Sequence, residues 1–78
     1  MEVFYLSDMK PGDCCMIKSL DLNEPLQNRL QDLGFISGCK VTCAYIAPSK
    51  SPVAFWIKGA LIALRRDQCF DIQVERCG

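Results

Sequence analysis

The segment LQDLGFISGCKVTC, from Leu30 to Cys43, decides how this chain folds. Gly34 stands where a helix would end, because glycine enters the left-handed backbone region without a Cβ penalty. Phe35 follows at the position from which an apolar side chain folds back onto Leu30. Three residues later, Ser37-Gly38 is a second turn signal. The segment therefore predicts the last turn of a helix, a tight turn and the start of a buried strand.

Upstream of this segment, the sequence predicts a short amphipathic helix. Asn23 can cap its N-terminus, and Pro25 is tolerated in a first turn because its missing N–H would have no partner there. Leu26, Leu30 and Leu33 recur at helical spacing and form one apolar stripe. A helix of about ten residues is too short to be stable alone, so we expect it to dock on a sheet.

Alternating apolar residues predict strands on both sides of the helix. From Cys39 the pattern has a period of two, which places Cys39, Val41, Cys43 and Tyr45 on one face. Strands are predicted at residues 14–20, 39–46, 53–58, 61–64 and 70–75. Short strands at intervals of about ten residues, with one helix after the first strand, predict a mainly β fold that forms a small bent barrel.

Length and composition limit the protein to one small domain, which we place at residues 1–78. Nine basic and nine acidic residues give a formal net charge of zero. This balance argues against nucleic acid as a partner and against an anionic membrane surface, and it favours a protein partner or weak self-association. No apolar run reaches the roughly 18 residues that span a bilayer, and the N-terminus lacks a signal peptide. We therefore expect a cytoplasmic protein with reduced thiols.

The six cysteines do not have the spacing of a metal knuckle, and the chain has no histidine. Cys15, Cys39, Cys43 and Cys69 occupy positions that suit small apolar core residues, whereas Cys77 is expected to be exposed. Buried reduced thiols are the favoured interpretation, with a weak metal site or a disulfide as alternatives. No cofactor and no metal ligand set is predicted.

Catalysis is not indicated by the residues present. The chain lacks histidine, its carboxylates are scattered over turns and strand ends, and no cysteine is predicted at a helix start where its pKa would fall. No phosphate-binding glycine motif occurs. We therefore expect a protein that is not an enzyme.

Three features are candidates for a partner surface. Trp56 is predicted on the outer face of its strand, where it would either enter an interface or be covered by the N-terminal arm. Arg65 begins a basic pair that is either solvated or faces an acidic partner. Phe35 and Ile36 lie at the turn after the helix, where they would be either exposed or packed under the loop.

The order of motifs along the chain resembles the ferrous iron transport protein A (FeoA) family. The matching segments are L-x-D-M-K-P-G-D at 6–13, RLQDLGFISGCKV at 29–41, APSKSPV at 47–53 and KGALIALRRDQCFDIQV at 58–74. Ser37 replaces a frequent proline of that pattern, and Cys69 replaces a frequent alanine, which favours a buried thiol there.

The resemblance implies an SH3-like barrel and a small cytosolic accessory protein of bacterial ferrous iron uptake. Its implied partner is the membrane ferrous iron transporter that carries a cytosolic GTP-binding domain. The surface around the helix and its following turn is the implied contact, to which we add two residues from their own patterns. The candidate partner-binding residues are Leu30, Leu33, Gly34, Phe35, Ile36, Trp56 and Arg65.

Two other functions remain as alternatives. In one, cysteines bind Fe²⁺ or Zn²⁺ directly and the protein is a metal-responsive regulatory module. In the other, the domain binds proline-rich peptides, although one tryptophan and two tyrosines would provide few aromatic residues for such a groove.

Overall fold

The structure, a computed structural model, describes residues 4–77. It contains six strands, a 3₁₀ turn and two helices. In chain order these are β1 (Phe4–Tyr5), the 3₁₀ turn (Leu6–Asp8), β2 (Cys14–Leu20), α1 (Glu24–Leu33), β3 (Lys40–Ile46), β4 (Val53–Ile57), β5 (Ala60–Leu64), α2 (Arg66–Cys69) and β6 (Ile72–Arg76).

All six strands belong to one antiparallel sheet with the order β1-β6-β2-β3-β4-β5. The mainly β fold predicted from the sequence is confirmed, with one more strand than the five expected. The extra strand is β1, in which Phe4 pairs with Val74 of β6. Within residues 4–77, β1 and β5 are the edge strands and no pairing joins them. The sheet is therefore bent around its core without being closed by hydrogen bonds.

Helix α1 begins and ends as its sequence predicts. The Asn23 side chain accepts a hydrogen bond from the Leu26 N–H at 3.2 Å. At the other end Gly34 has φ +113°, its N–H donates to the Gln31 carbonyl, and the Phe35 N–H donates to the Leu30 carbonyl at 2.9 Å. These two bonds satisfy carbonyls that a helix end leaves without partners.

The core lies between the inner face of the sheet and α1. Alternation along β2 and β6 correctly predicts that Cys15, Ile17, Ile72 and Val74 point inward, and Phe35 and Leu30 join them from the helix end. The buried apolar residues include Leu6, Met9, Cys15, Ile17, Leu30, Phe35, Val41, Cys43, Val53, Phe55, Ile57, Leu64, Cys69, Ile72 and Val74. Among the described residues no polar or charged side chain is buried, so apolar burial holds this domain together.

Tyr45 departs from the face that alternation assigns to it. The pairing register shifts between Cys43, which lies opposite Phe55, and Tyr45, which lies opposite Ala54. The extra residue of this bulge turns the following side chain over, so that Tyr45 is exposed and Ile46 packs against the core. Period-two reasoning fails at such a point because one inserted residue reverses every later side chain.

The Gly34→Ala substitution should lower the free energy of unfolding by about 1–2 kcal/mol, because alanine is strained at this positive φ. The added Cβ would also lie 3.1 Å from Cδ of Lys58, a flexible chain that can rotate away. Urea denaturation measures the loss. Gly34→Asn is the matched control, since asparagine tolerates left-handed backbone better and should lose less. Equal stability of the wild type and the alanine variant would contradict the assigned role of the C-cap.

Candidate docking groove

An open groove lies between α1, the edge strand β5 and the start of α2. It has a cavity volume of about 260 Å³. Its lining is apolar along the floor and carries arginines at the rim. The lining residues are Leu26, Arg29, Leu30, Leu33, Pro52, Ile62, Ala63, Leu64, Arg65 and Gln68. We refer to this feature as the α1–β5 groove.

The β5 wall of the groove is the free edge of the sheet. Three consecutive residues, Ile62, Ala63 and Leu64, line it, although successive side chains of a strand point to opposite faces. A groove lined by consecutive residues therefore runs along the strand edge. Among residues 4–77, β5 pairs only with β4, so one row of its backbone N–H and C=O groups has no strand partner. Such an edge can accept an added extended segment.

Two arginines give the rim of the groove a positive character. Arg29 comes from α1, and Arg65 precedes α2. The Arg65 side chain donates to Asp67 at 3.1 Å, and both side chains are largely exposed, so the pair is weakly held. The Arg65 N–H donates to the Gln68 side chain, which fixes the backbone at the start of α2. The arrangement favours an apolar ligand segment that carries carboxylates.

The candidate partner residues divide into exposed and buried groups. Leu33 is 41% exposed and Ile36 is 38% exposed, so both offer apolar surface at the end of α1. Leu30 and Phe35, in contrast, are in the core, at 2% and 0% exposure. These two residues therefore hold their exposed neighbours in place and offer almost no surface themselves. Gly34 serves as the C-cap between the two groups.

The structure brings Leu33 and Arg65 into one groove but places Trp56 elsewhere. Trp56 is 48% exposed on the outer face of the sheet. Cross-strand pairing places it beside Leu61 on one side and Thr42 on the other, with Cys14 next in the same row. Phe4 and Tyr5 of the N-terminal arm pair with β6, so the described part of the arm does not cover Trp56, and this outer-face row is a second exposed surface.

Sequence reasoning missed several residues of the groove. Arg29 precedes Leu33 by four positions on α1, so helical spacing could have placed both on one side. Ile62 is half-buried, packs against the core and also lines the groove wall. Gln68 carries no local signal, because it lines the groove only through the placement of α2 across from α1.

The thiols occupy the positions expected from the sequence in most cases. Cys15, Cys43 and Cys69 are buried, Cys39 is half-buried and Cys77 is exposed. Burial raises the pKa of Cys69 to about 12 and, less strongly, the pKa of Cys15 and of Cys43. A thiol with a raised pKa remains protonated and unreactive near neutral pH, which fits a packing role for these three.

Within residues 4–77, no group of three or more His, Cys, Asp or Glu side chains is placed to share a metal ion. The metal-responsive alternative stays a prediction from the sequence. No helix in the described part of the chain is long and apolar enough to cross a bilayer.

Fold and site together define a small antiparallel β domain with an open groove beside its edge strand. The FeoA domain family model matches residues 4–76. The chain therefore belongs to the FeoA domain family, which is linked to ferrous iron transport.

The chain is similar in sequence to part of a larger known protein and similar in structure to solved FeoA proteins. The Fe(2+) transport protein A/Fe(2+) transporter FeoB fusion protein of Porphyromonas gingivalis is 30% identical over 70 residues, which cover 90% of this chain and only 8% of that protein. The FeoA protein of Chlorobium tepidum has a TM-score of 0.92 and 29% identity, over 96% of this chain and 71% of that one.

A structure with lower sequence identity identifies the type of fold. The FeoA of Stenotrophomonas maltophilia, solved in complex with zinc and described as a prokaryotic SH3 domain protein, has a TM-score of 0.81 and 22% identity, over 92% of this chain and 89% of that one. The SH3-like fold expected from the sequence is therefore confirmed.

Proposed function

We propose that this protein is a non-catalytic accessory module of ferrous iron uptake that binds the cytosolic GTP-binding domain of the membrane iron transporter. The observation that carries the proposal is the α1–β5 groove, which joins apolar side chains, an unpaired strand edge and two arginines. Support for the partner comes from the Porphyromonas gingivalis relative, whose name describes an A protein fused to the FeoB transporter. Fusion holds two domains at a high effective concentration. Partners in separate chains have to reach each other through their binding affinity.

The groove suggests how the partner would be held. We infer that an extended segment of the transporter's cytosolic part adds to the free edge of β5, so that backbone hydrogen bonds supply affinity. An apolar side chain of that segment would contact Leu33 and Ile62, and a carboxylate would meet Arg29 or Arg65 at the rim. Exposed charges of this kind mainly raise the association rate, so binding should weaken with added salt.

Replacing Leu33 by aspartate should weaken binding to the purified GTP-binding domain by at least about tenfold, because it puts a charge into the apolar centre of the contact. Fluorescence anisotropy of the labelled chain against the domain of the same organism measures the affinity, with GDP, with a GTP analogue and without nucleotide. Leu33 is well exposed, so the variant should remain folded, which circular dichroism checks.

Met16→Asp is the matched control. Met16 is 42% exposed but lies on β2, three strands away from β5, so its replacement should leave the affinity unchanged. Loss of binding in the Met16 variant alone would move the contact to the outer face of the sheet and contradict the groove. No binding of the wild type in any nucleotide state would contradict the proposed function as a whole.

A further inference from the structure

Cys14 and Cys77 face each other across two neighbouring strands. Cys15 pairs with Arg76 and Met16 with Glu75, so the same antiparallel register places Cys14 opposite Cys77 at the end of β6. The Cys77 N–H donates to the Cys14 carbonyl at 3.2 Å, which holds the two backbones together. The two Sγ atoms are 3.3 Å apart. The chain therefore carries a preformed pair of thiols, separated by 63 positions in sequence.

We propose that Cys14 and Cys77 form a redox-modification site, at which a small disulfide such as oxidised glutathione converts the two thiols into a reversible intramolecular disulfide. The modification would fasten the end of β6 to β2. It is independent of the groove and of the docking function.

The backbone geometry already suits such a bond. Residues directly opposite each other in an antiparallel pair have Cα atoms about 4.5–5.5 Å apart, within the range that disulfides use. The Sγ atoms need to approach by only about 1.2 Å to reach a bonding distance. Rotation about the side-chain bonds can supply this movement while the paired backbones stay in place.

The other cysteines are less suited to the reaction. Cys15 is adjacent to Cys14 in sequence but points into the core, as alternation along β2 requires. Cys43 and Cys69 are also buried, whereas Cys77 is exposed and Cys14 is partly exposed. A dissolved oxidant therefore meets Cys77 first, with Cys14 behind it as the resolving thiol.

The reaction balances as two exchanges. The Cys77 thiolate attacks one sulfur of the small disulfide, which forms a mixed disulfide and releases one small thiolate. The Cys14 thiolate then attacks Sγ of Cys77, which forms the Cys14–Cys77 bond and releases the second small thiolate. Both protein protons leave to water or to the departing thiolates. The two cysteines are oxidised, the small disulfide is reduced to two thiols, and an excess of those thiols reverses the reaction.

Oxidation would act on β6, which pairs with a strand on each of its two sides. β6 lies between β1 and β2, and its Arg76 guanidinium lies 4.6 Å from the ring centre of Phe4 in β1. A bond at the end of β6 would limit fraying of this strand and, through it, of β1. It would also constrain the unfolded chain by closing a long loop, so the melting temperature should rise by roughly 10 °C or more.

The exchange rate should increase with pH. The hydrogen bond with Cys14, followed by desolvation and the charge of Cys14, raises the pKa of Cys77, while Lys40 of β3 opposes this effect. A raised pKa leaves little thiolate near neutral pH, so the first exchange is slow there and speeds up as the pH approaches and passes the ordinary thiol range.

The test incubates the full chain with defined ratios of oxidised and reduced glutathione and maps disulfide-linked peptides by mass spectrometry. We expect one Cys14–Cys77 link, the loss of two hydrogen atoms from the chain mass, a higher melting temperature and full reversal by dithiothreitol. Cys14→Ser should stop at glutathione bound to Cys77. Cys39→Ser, a half-buried cysteine outside the pair, is the matched control and should form the same link as the wild type.

Three results would overturn the proposal. The first is a wild-type chain that stays fully reduced at ratios where Cys14→Ser accepts glutathione on Cys77. The second is a link that joins other cysteines or two separate chains. The third is a Cys14–Cys77 link that forms but leaves the melting temperature unchanged, since the bond would then not fasten β6.

Discussion

Replacing Phe35 by alanine is expected to lower the free energy of unfolding by about 3–5 kcal/mol, because it removes a fully buried ring and leaves a cavity. Phe35 has 0% exposure and packs with the core that the inner faces of the strands form. A domain of 78 residues has a total stability of only about 5–10 kcal/mol, so this loss takes a large part of it. Urea or thermal unfolding followed by circular dichroism measures the change.

The neighbouring residue provides the control for this prediction. Ile36→Ala changes an apolar residue one position further along the same turn, but Ile36 is well exposed, so the loss should stay within about 1 kcal/mol. Similar losses for both variants would contradict the placement of Phe35 in the core. Phe35 is therefore unsuitable for mapping a docking surface, since its replacement would destabilise the whole domain and any contact with it.

Raising the pH above 9 should destabilise the protein through Cys69. The folded-state pKa of Cys69 is raised to about 12, chiefly by burial, whereas an unfolded thiol titrates near 9.0. Arg66 lowers this pKa, while Cys43 and Asp67 raise it by smaller amounts. Between these values the unfolded chain loses a proton that the folded chain keeps. The free energy of unfolding should therefore fall by about 1.4 kcal/mol per pH unit from this group, which amounts to about 2 kcal/mol by pH 10.5.

Cys69→Ala separates this effect from other alkaline titrations. The variant should be somewhat less stable at pH 7, because it loses buried sulfur contacts, but its stability should fall less steeply between pH 9 and 10.5. Denaturant unfolding at a series of pH values under reducing conditions gives both slopes. Identical slopes for the variant and the wild type would show that the Cys69 thiol ionises in the folded state as readily as in water.

Local sequence signals predicted the elements that depend on neighbouring residues. The cap at Asn23, the stop at Gly34 and the return of Phe35 toward Leu30 were all readable, because each is made by residues within a few positions of one another. Period-two alternation likewise identified the inward side chains of β2 and β6. It failed at Tyr45, where a bulge set by pairing with β4 inserts one residue.

Long-range contacts decided the features that alternation and capping do not describe. The pairing of Phe4 with Val74 made a strand of the N-terminal arm, and no signal within the arm specifies that partner. The thiol pair of Cys14 and Cys77 arises in the same way, from the register between β2 and β6. Such features require the position of two distant segments, which local propensity does not encode.

The amino-acid sequence by itself determined a small SH3-like β domain of the FeoA family, its helix limits and most of its core, because those follow from spacing and turn chemistry. Only the tertiary structure decided which candidate residues share a surface. It placed Leu33 and Arg65 in one groove, left Trp56 outside that groove and buried Phe35, because the packing of α1 against the bent sheet determines which side chains meet and which remain exposed to water.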